Sequence, residues 1–228
     1  MRSLLLLVAV LTTTFSALSN DYEAQINARF QNVKTASYPA SSFTKPMRWS
    51  VGQWVEVGIT DDDNEKSTLR QAIIARDGEW WTLEMQTMNE DDFVIVQLEV
   101  KGMDKMMAGG GTDDIEFRKV RMKTNNDDPV TIEGFMLNMA SGLYKDGLKS
   151  WVIETSNIKS GPAVTVPAGT FSGTSVVRTK LQVLGSEVES ECWLSASVPI
   201  SGIVKTADNE GNTQVLLDFG LEGAKASF

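Results

Sequence analysis

Histidine is absent from all 228 residues, and cysteine occurs once, as Cys192. Without imidazole, Ser-His-Asp and Cys-His nucleophile systems and His-ligated zinc sites are excluded. A single cysteine also excludes an internal disulfide framework, so any fold must be held by its own core. Positive charge is scarce: 21 Lys and Arg face 30 Asp and Glu, for a formal net charge of −9. Such a surface repels nucleic acid and anionic lipid headgroups, and no nucleic-acid partner is expected. One long apolar run exists, Leu4 to Leu11, well short of the ~20 residues of a membrane span.

That run is flanked by Arg2 and by the small polar stretch Thr12 to Ser19, with Ala17-Leu18-Ser19 in small-x-small form. The pattern predicts a secretory signal peptide over residues 1–19, hence an exported protein of the periplasm or exterior, with no integral membrane span. No cysteine sits near the expected cleavage point to carry a lipid.

The rest divides by period. Tyr22, Ile26, Phe30 and Val33 recur at helical spacing behind a capping pattern of Asn20 and Glu23, which predicts a helix over residues 21–34. Two prolines mark residues 35–48 as a linker. From residue 49 the period is two, predicting one antiparallel β domain over residues 49–228. Asp77-Gly78 between alternating runs signals a hairpin, and Asp61–Glu65 and Asp208–Asn212 read as further turns. GMDKMMAGGGT, residues 102–112, interrupts the strands with a Met- and Gly-rich loop. Ten to twelve strands are expected. In TVPAGTFSGTSVVRTK, Pro167 cannot donate to a ladder and Gly169 tolerates positive φ, so Pro-Ala-Gly predicts a turn or bulge leading into a strand over 170–184.

Eight methionines lie between Met85 and Met139. Methionine is flexible and polarizable, and surfaces accepting varied apolar ligands use it. The alternative is ordinary core filling. Thioethers also suit Cu(I), but three methionines beside glycines with no histidine do not define a metal site, and no cofactor is expected. Six tryptophans are many for this length. Trp80 and Trp81 are adjacent, so in a strand they take opposite faces. The acidic run Asp61–Glu65 lacks the Gly and Glu of a calcium loop, with Lys66 and Ala72 at those positions. Ser156-x-x-Lys159 stands without the companion motifs of penicillin-recognising enzymes. Cys192 alternates with Val188 and Leu194, which predicts a buried thiol.

Four blocks carry a resemblance: Trp49-Ser-Val-Gly-Gln-Trp-Val-Glu56, Val166-Pro-Ala-Gly-Thr-Phe171, Trp193-Leu-Ser-Ala-Ser-Val-Pro-Ile-Ser-Gly-Ile-Val-Lys205, and Leu217-Asp-Phe-Gly220 followed by Gly223-Ala-Lys225. Their order resembles a family of exported bacterial proteins without assigned activity. The expected sheet is similar to the half-barrel of periplasmic lipoprotein carrier and receptor proteins. The resemblance implies fold and location and brings no catalytic residues.

The expectation is therefore a mainly β protein: a curved antiparallel meander, a half-barrel, with an N-terminal helix and a Met/Gly-rich middle loop. It binds an apolar ligand, a lipid or a lipoprotein acyl chain, or acts as a carrier for a lipidated or outer-membrane protein, without catalysis. Met85, Ile95, Met106, Met107, Met136 and Val177 are the expected cavity residues. The helix at 21–34 and the loop at 102–112 are the expected internal fillers. Two other readings stay open: a structural or interaction domain with a self-filled core, and a carboxylate hydrolase.

Overall fold

The alternation of apolar and polar residues is realised as strands. A computed structural model describes residues 21–40, 48–107, 113–132, 134, 137–138, 141–142, 151–153, 158–183 and 186–228. Helix α1 spans Tyr22–Gln31 and α2 spans Met103–Met107. The strands in chain order are β1 Ser37–Tyr38, β2 Trp54–Thr60, β3 Lys66–Asp77, β4 Trp80–Met88, β5 Phe93–Lys101, β6 Glu116–Thr124, β7 Val130–Ile132 and β8 Trp151–Ile153. They continue as β9 Lys159–Ser160, β10 Val164–Val166, β11 Gly169–Phe171, β12 Ser175–Val183, β13 Ser186–Leu194, β14 Ile203–Asp208 and β15 Thr213–Gly220. The signal-peptide region lies outside the described residues.

Twelve strands form one open sheet in the order β7-β6-β5-β4-β3-β2-β15-β14-β13-β12-β8, with β9 also on β12. Every pairing in it is antiparallel. The mainly β, open-sheet expectation holds, with one short N-terminal helix. Strand order departs from a simple meander where β8 and β9 pair with β12, and at a central seam where the late strand β15 pairs with the early strand β2, Leu216 opposite Val57 and Phe219 opposite Val55.

A second, three-stranded sheet, β1-β11-β10, stands beside this seam. Strand β15 pairs with β14 only over Thr213–Val215, whereas its pairing with β2 continues to Gly220. Where β14 has left, the Leu216 carbonyl accepts from the Ala168 amide, and the Pro167 carbonyl accepts from the Lys34 amide. The small sheet's hairpin thus satisfies a backbone carbonyl that the large sheet leaves open.

Pro167 and Ala168 are the two central residues of the β10–β11 hairpin, and Gly169 adopts φ +134°. The expected long strand over 170–184 is two strands: β11 ends at Phe171 and β12 begins at Ser175, each in a different sheet. Three residues, Ser172 to Thr174, redirect the chain, and Gly173 at φ +59° makes the bend. Ser37–Tyr38, within the expected linker, lies parallel to β11.

Register defines two faces. On the apolar face, Val55, Val57, Ile73, Trp81, Leu83, Val100, Val204 and Leu216 form a core with Trp49, Met103, Ile115, Val198 and Ile200. Val166, Ala168 and Phe171 from the small sheet complete it, and Tyr38 stacks on Phe171 with ring centroids 4.4 Å apart. Burying a side chain such as Phe171 contributes roughly 1.5–3 kcal/mol.

Helix α1 takes the opposite, polar face. Asp21 caps it by accepting from the Ala24 amide, and the Tyr22, Ile26, Phe30 stripe lands on the sheet. Tyr22 donates to Asn125 at 3.2 Å, Ile26 is buried, and Phe30 sits over Gly58. The helix ends at Gln31, and Val33 is exposed. Arg29 pairs with the buried carboxylate Glu56 at 2.8 Å, and Lys34 pairs with Asp218. The expectation that α1 fills the apolar face is corrected: its anchors are polar-face residues. Helix α2 does contribute, through Met103 and Met106.

Candidate functional site

Two apolar rows cross four strands on the apolar face. In one, Met85 lies opposite Val96, Val96 opposite Met122, and Met122 opposite Val130. In the next, Leu83 faces Leu98, Leu98 faces Val120, and Val120 faces Ile132. Period-two alternation makes both rows point the same way. They run outward from the core to strand β7 at the sheet's end, where Val130 is 59% exposed. Val94, Val96, Leu98 and Val120 are buried together with Leu137, while Met85, Met122, Phe117 and Ile132 are half-buried against them. Met85 and Phe117 touch both this cluster and the main core.

The wing β4–β7 therefore carries a second apolar cluster, buried at Val96, Leu98 and Val120, half-buried at Met85, Met122 and Ile132, and exposed at Val130. The central part is closed from within by the small sheet, Trp49 and α2. Of the expected cavity residues, Met85 belongs to the wing, and Met106 packs beside the central core. Ile95 is a correction. It lies between Val94 and Val96, which face the wing, so its own side chain is on the polar face, where it is buried. Val177 is a second correction. It is buried opposite Cys192, six strand spacings from β4, or about 29 Å along the sheet at ~4.8 Å per strand. Met136 and the Met107 side chain lie outside the described features. Val96, Leu98 and Val120 are wing residues not singled out from the sequence, and Met122 is one of the eight clustered methionines that the expected cavity did not include. Their signal was the alternation within VIVQLEV and the Met122 position in KVRMK.

Two clefts are polar. One of about 270 Å³ is bordered by Arg76, Glu79, Lys101, Asp104, Lys105 and Glu116. Two ion pairs border it, Lys101 with Glu116 at 3.0 Å and Lys105 with Glu79 at 3.7 Å. The other, of about 190 Å³, borders Thr82, Glu99, Lys119, Arg121 and Phe228. Neither lining suits an acyl chain.

The buried acids have structural partners. Burial pushes the Glu56 carboxyl up and Asp218 adds to this, while Arg29 and Arg70 oppose it. Glu84 is fully buried, yet four donated hydrogen bonds outweigh desolvation and hold its carboxyl below the usual value. Burial raises the Cys192 thiol to about 11. Among the described residues no group of three or more His, Cys, Asp or Glu is placed to hold a metal ion. No described helix is long and apolar enough to cross a membrane.

The class defined by these observations is an open antiparallel sheet, closed centrally by its own small sheet, with an apolar wing. No protein-family model and no curated protein matches the chain. Among solved structures, a Bacteroides fragilis protein designated exported, with a YmcC-like fold, aligns at 11% identity and TM-score 0.32, over 77% of this chain and 99% of that one. A Parabacteroides distasonis protein designated a lipoprotein aligns at 11% identity and TM-score 0.33, with the same coverage. PNGF-II aligns at 11% identity and TM-score 0.32, over 77% of this chain and 29% of its own. Likeness of this degree transfers neither fold nor activity.

Proposed function

We propose that this is an exported, non-catalytic protein that holds an apolar chain, such as a lipid or a lipoprotein acyl group, against the β4–β7 wing. The observation that carries this reading is the pair of apolar rows, one ending at exposed Val130 and the other at half-buried Ile132. Methionines at half-buried positions adapt to ligands of varied shape, whereas the rigid, β-branched Val96 lies between Met85 and Met122 on the same face. Export rests on the N-terminal Arg2, apolar run and Ala-Leu-Ser pattern. Cell fractionation tests it directly.

A fluorescent long-chain fatty acid, added to delipidated protein, is expected to bind saturably with a Kd on the order of micromolar. Met122→Glu should weaken uptake by about tenfold, or about 1.4 kcal/mol, whereas Val33→Glu, on an exposed residue away from the wing, should not. Absence of saturable uptake by the folded protein disposes of the reading.

A second reading has its own observation. The small sheet fills the centre of the apolar face with Phe171, Val166 and Ala168. A structural or interaction domain with a self-filled core would show the same centre and take up no fatty acid.

A further inference from the structure

Segment 221–228 crosses the polar face and inserts Ser227 beside Glu84. Glu84 Oε1 accepts from the Ser227 hydroxyl at 2.7 Å and from Gln86 Nε2 at 2.8 Å. Glu84 Oε2 accepts from the Ser227 amide at 2.9 Å and from Gln97 Nε2 at 2.8 Å. Gln86 Nε2 also donates to the Ser227 hydroxyl oxygen at 2.8 Å, so that hydroxyl both donates and accepts. Gln97 Nε2 reaches the Phe228 carbonyl at 3.1 Å, and the Arg121 guanidinium lies over the Phe228 ring at 4.6 Å. Arg121 in turn donates to Gln97 Oε1 at 3.1 Å, fixing the amide's orientation.

We infer that Glu84, Gln86, Gln97 and Arg121 form a peptide-recognition site for an extended segment carrying a hydroxyl residue followed by an aromatic one, and that Ser227-Phe228 occupies it as an internal latch. Three properties lead there. Ser227 supplies two of the four donors to a fully buried carboxylate, so an empty site leaves Glu84 half-satisfied, which is costly. An occupant must therefore bring an amide and a hydroxyl. The hydroxyl must also accept from Gln86, which a lysine ammonium cannot do. Finally, the segment leading to it is mostly exposed, at Leu221, Glu222, Gly223, Lys225 and Ala226, and its backbone tie to the sheet is the Ala224 amide on the Gly52 carbonyl at 2.9 Å. The cleft beside the ring leaves about 190 Å³ for residues flanking the motif. This site lies on the face opposite the apolar wing and does not depend on it.

The test uses the full chain and a fluorescein-labelled peptide of the sequence Leu-Glu-Gly-Ala-Lys-Ala-Ser-Phe. Ser227→Ala combined with Phe228→Ala weakens the latch, and this variant is expected to bind the peptide saturably, at least tenfold tighter than the unaltered chain. A peptide with Ala in place of Ser should lose at least tenfold, and one with Thr should retain binding. Equal binding of the Ser and Ala peptides, or no saturable binding by a variant with an unchanged circular dichroism spectrum, overturns the assignment. Should the variant not fold, hydrogen exchange on the unaltered chain decides. The Ser227 amide is expected to exchange far faster than the β4 and β5 amides, through local opening of the latch. Exchange of Ser227 at the global unfolding rate would equally overturn it.

Discussion

Gly58 and Phe30 occupy complementary space: a Cβ placed on Gly58 would overlap the Phe30 ring. The missing side chain in β2 is the seat of helix α1. Lys66 caps the other side of the ring, its ammonium 5.2 Å from the centroid, and also reaches Asn27 at 3.3 Å.

Gly58→Ala is therefore expected to expel the ring and destabilise the protein by about 1–3 kcal/mol, as overpacking does. Urea unfolding followed by circular dichroism measures the loss. Phe30→Ala removes the obstacle, so the double variant should cost less than the sum of the singles by more than the ~0.5 kcal/mol within which independent sites add. Strict additivity would show that the ring does not rest on Gly58.

The seat itself was not legible in the sequence. The helical stripe of Tyr22, Ile26 and Phe30 was, and it buries as the spacing requires. What spacing cannot supply is the face against which a stripe packs, because that depends on pairs such as Arg29–Glu56, 27 residues apart. Strands β2 to β5 and their hairpins were legible, since short turns force neighbours to pair. The β2–β15 seam was not, because nothing local in TQVLLDFG names a partner more than 150 positions earlier. Ile95 shows a different limit. In Val94-Ile95-Val96 both faces are apolar, so alternation alone could not tell wing from polar face; the register with Met85 decides it. The Glu84 site was invisible for the same non-local reason, its partner Ser227 being 143 residues away.

Glu84 sets an acid limit on stability. Desolvation raises its carboxyl, but hydrogen bonds from Gln97, Ser227 and Gln86 more than compensate, so its folded pKa lies below the ordinary 4.5. A lowered carboxyl contributes stability that is complete above about 4.5 and lost as pH falls through the folded pKa. Unfolding free energy measured from pH 6 downward, roughly one to two units either side of that ordinary value, should fall for the unaltered chain. Glu84→Gln should start lower and decline less over the same window. A variant curve parallel to the parent's would remove Glu84 from this role. Glu56, raised chiefly by burial, has the opposite sign: its protonated form is the one the fold favours, so it weakens the fold as pH rises through 4.5 towards its raised value.

Gly169 closes the β10–β11 hairpin at φ +134°, and a Cβ there would stand 2.5 Å from the Ala36 carbonyl oxygen. That oxygen accepts from the Thr170 amide, so it cannot retreat without breaking the β1–β11 ladder. Gly169→Ala combines a disfavoured backbone region, about 1–3 kcal/mol, with this clash. The expected consequence is loss of the Tyr38–Phe171 stack along with β1. Near-ultraviolet circular dichroism should report the aromatic change, and tryptic cleavage at Lys34 should accelerate. A variant resisting trypsin like the parent would mean that β1 is held by something other than this hairpin.

Cys192 offers a probe of the far wing, β12–β14. Its thiol is buried on the apolar face, where desolvation raises its pKa to about 11; Glu191 adds to this and a hydrogen bond with Thr179 opposes it. The thiolate is the reactive form, so at pH 8 the folded protein should hold about one part in a thousand as thiolate, against roughly a quarter for an ordinary cysteine. Ellman's reagent is expected to react with the native chain only as fast as β12–β14 opens. In denaturing urea it should titrate one thiol per chain at once. Rapid native reaction would place Cys192 at a solvent-open edge, and β12 would then lack the cover that its buried Val177 and Thr179 imply.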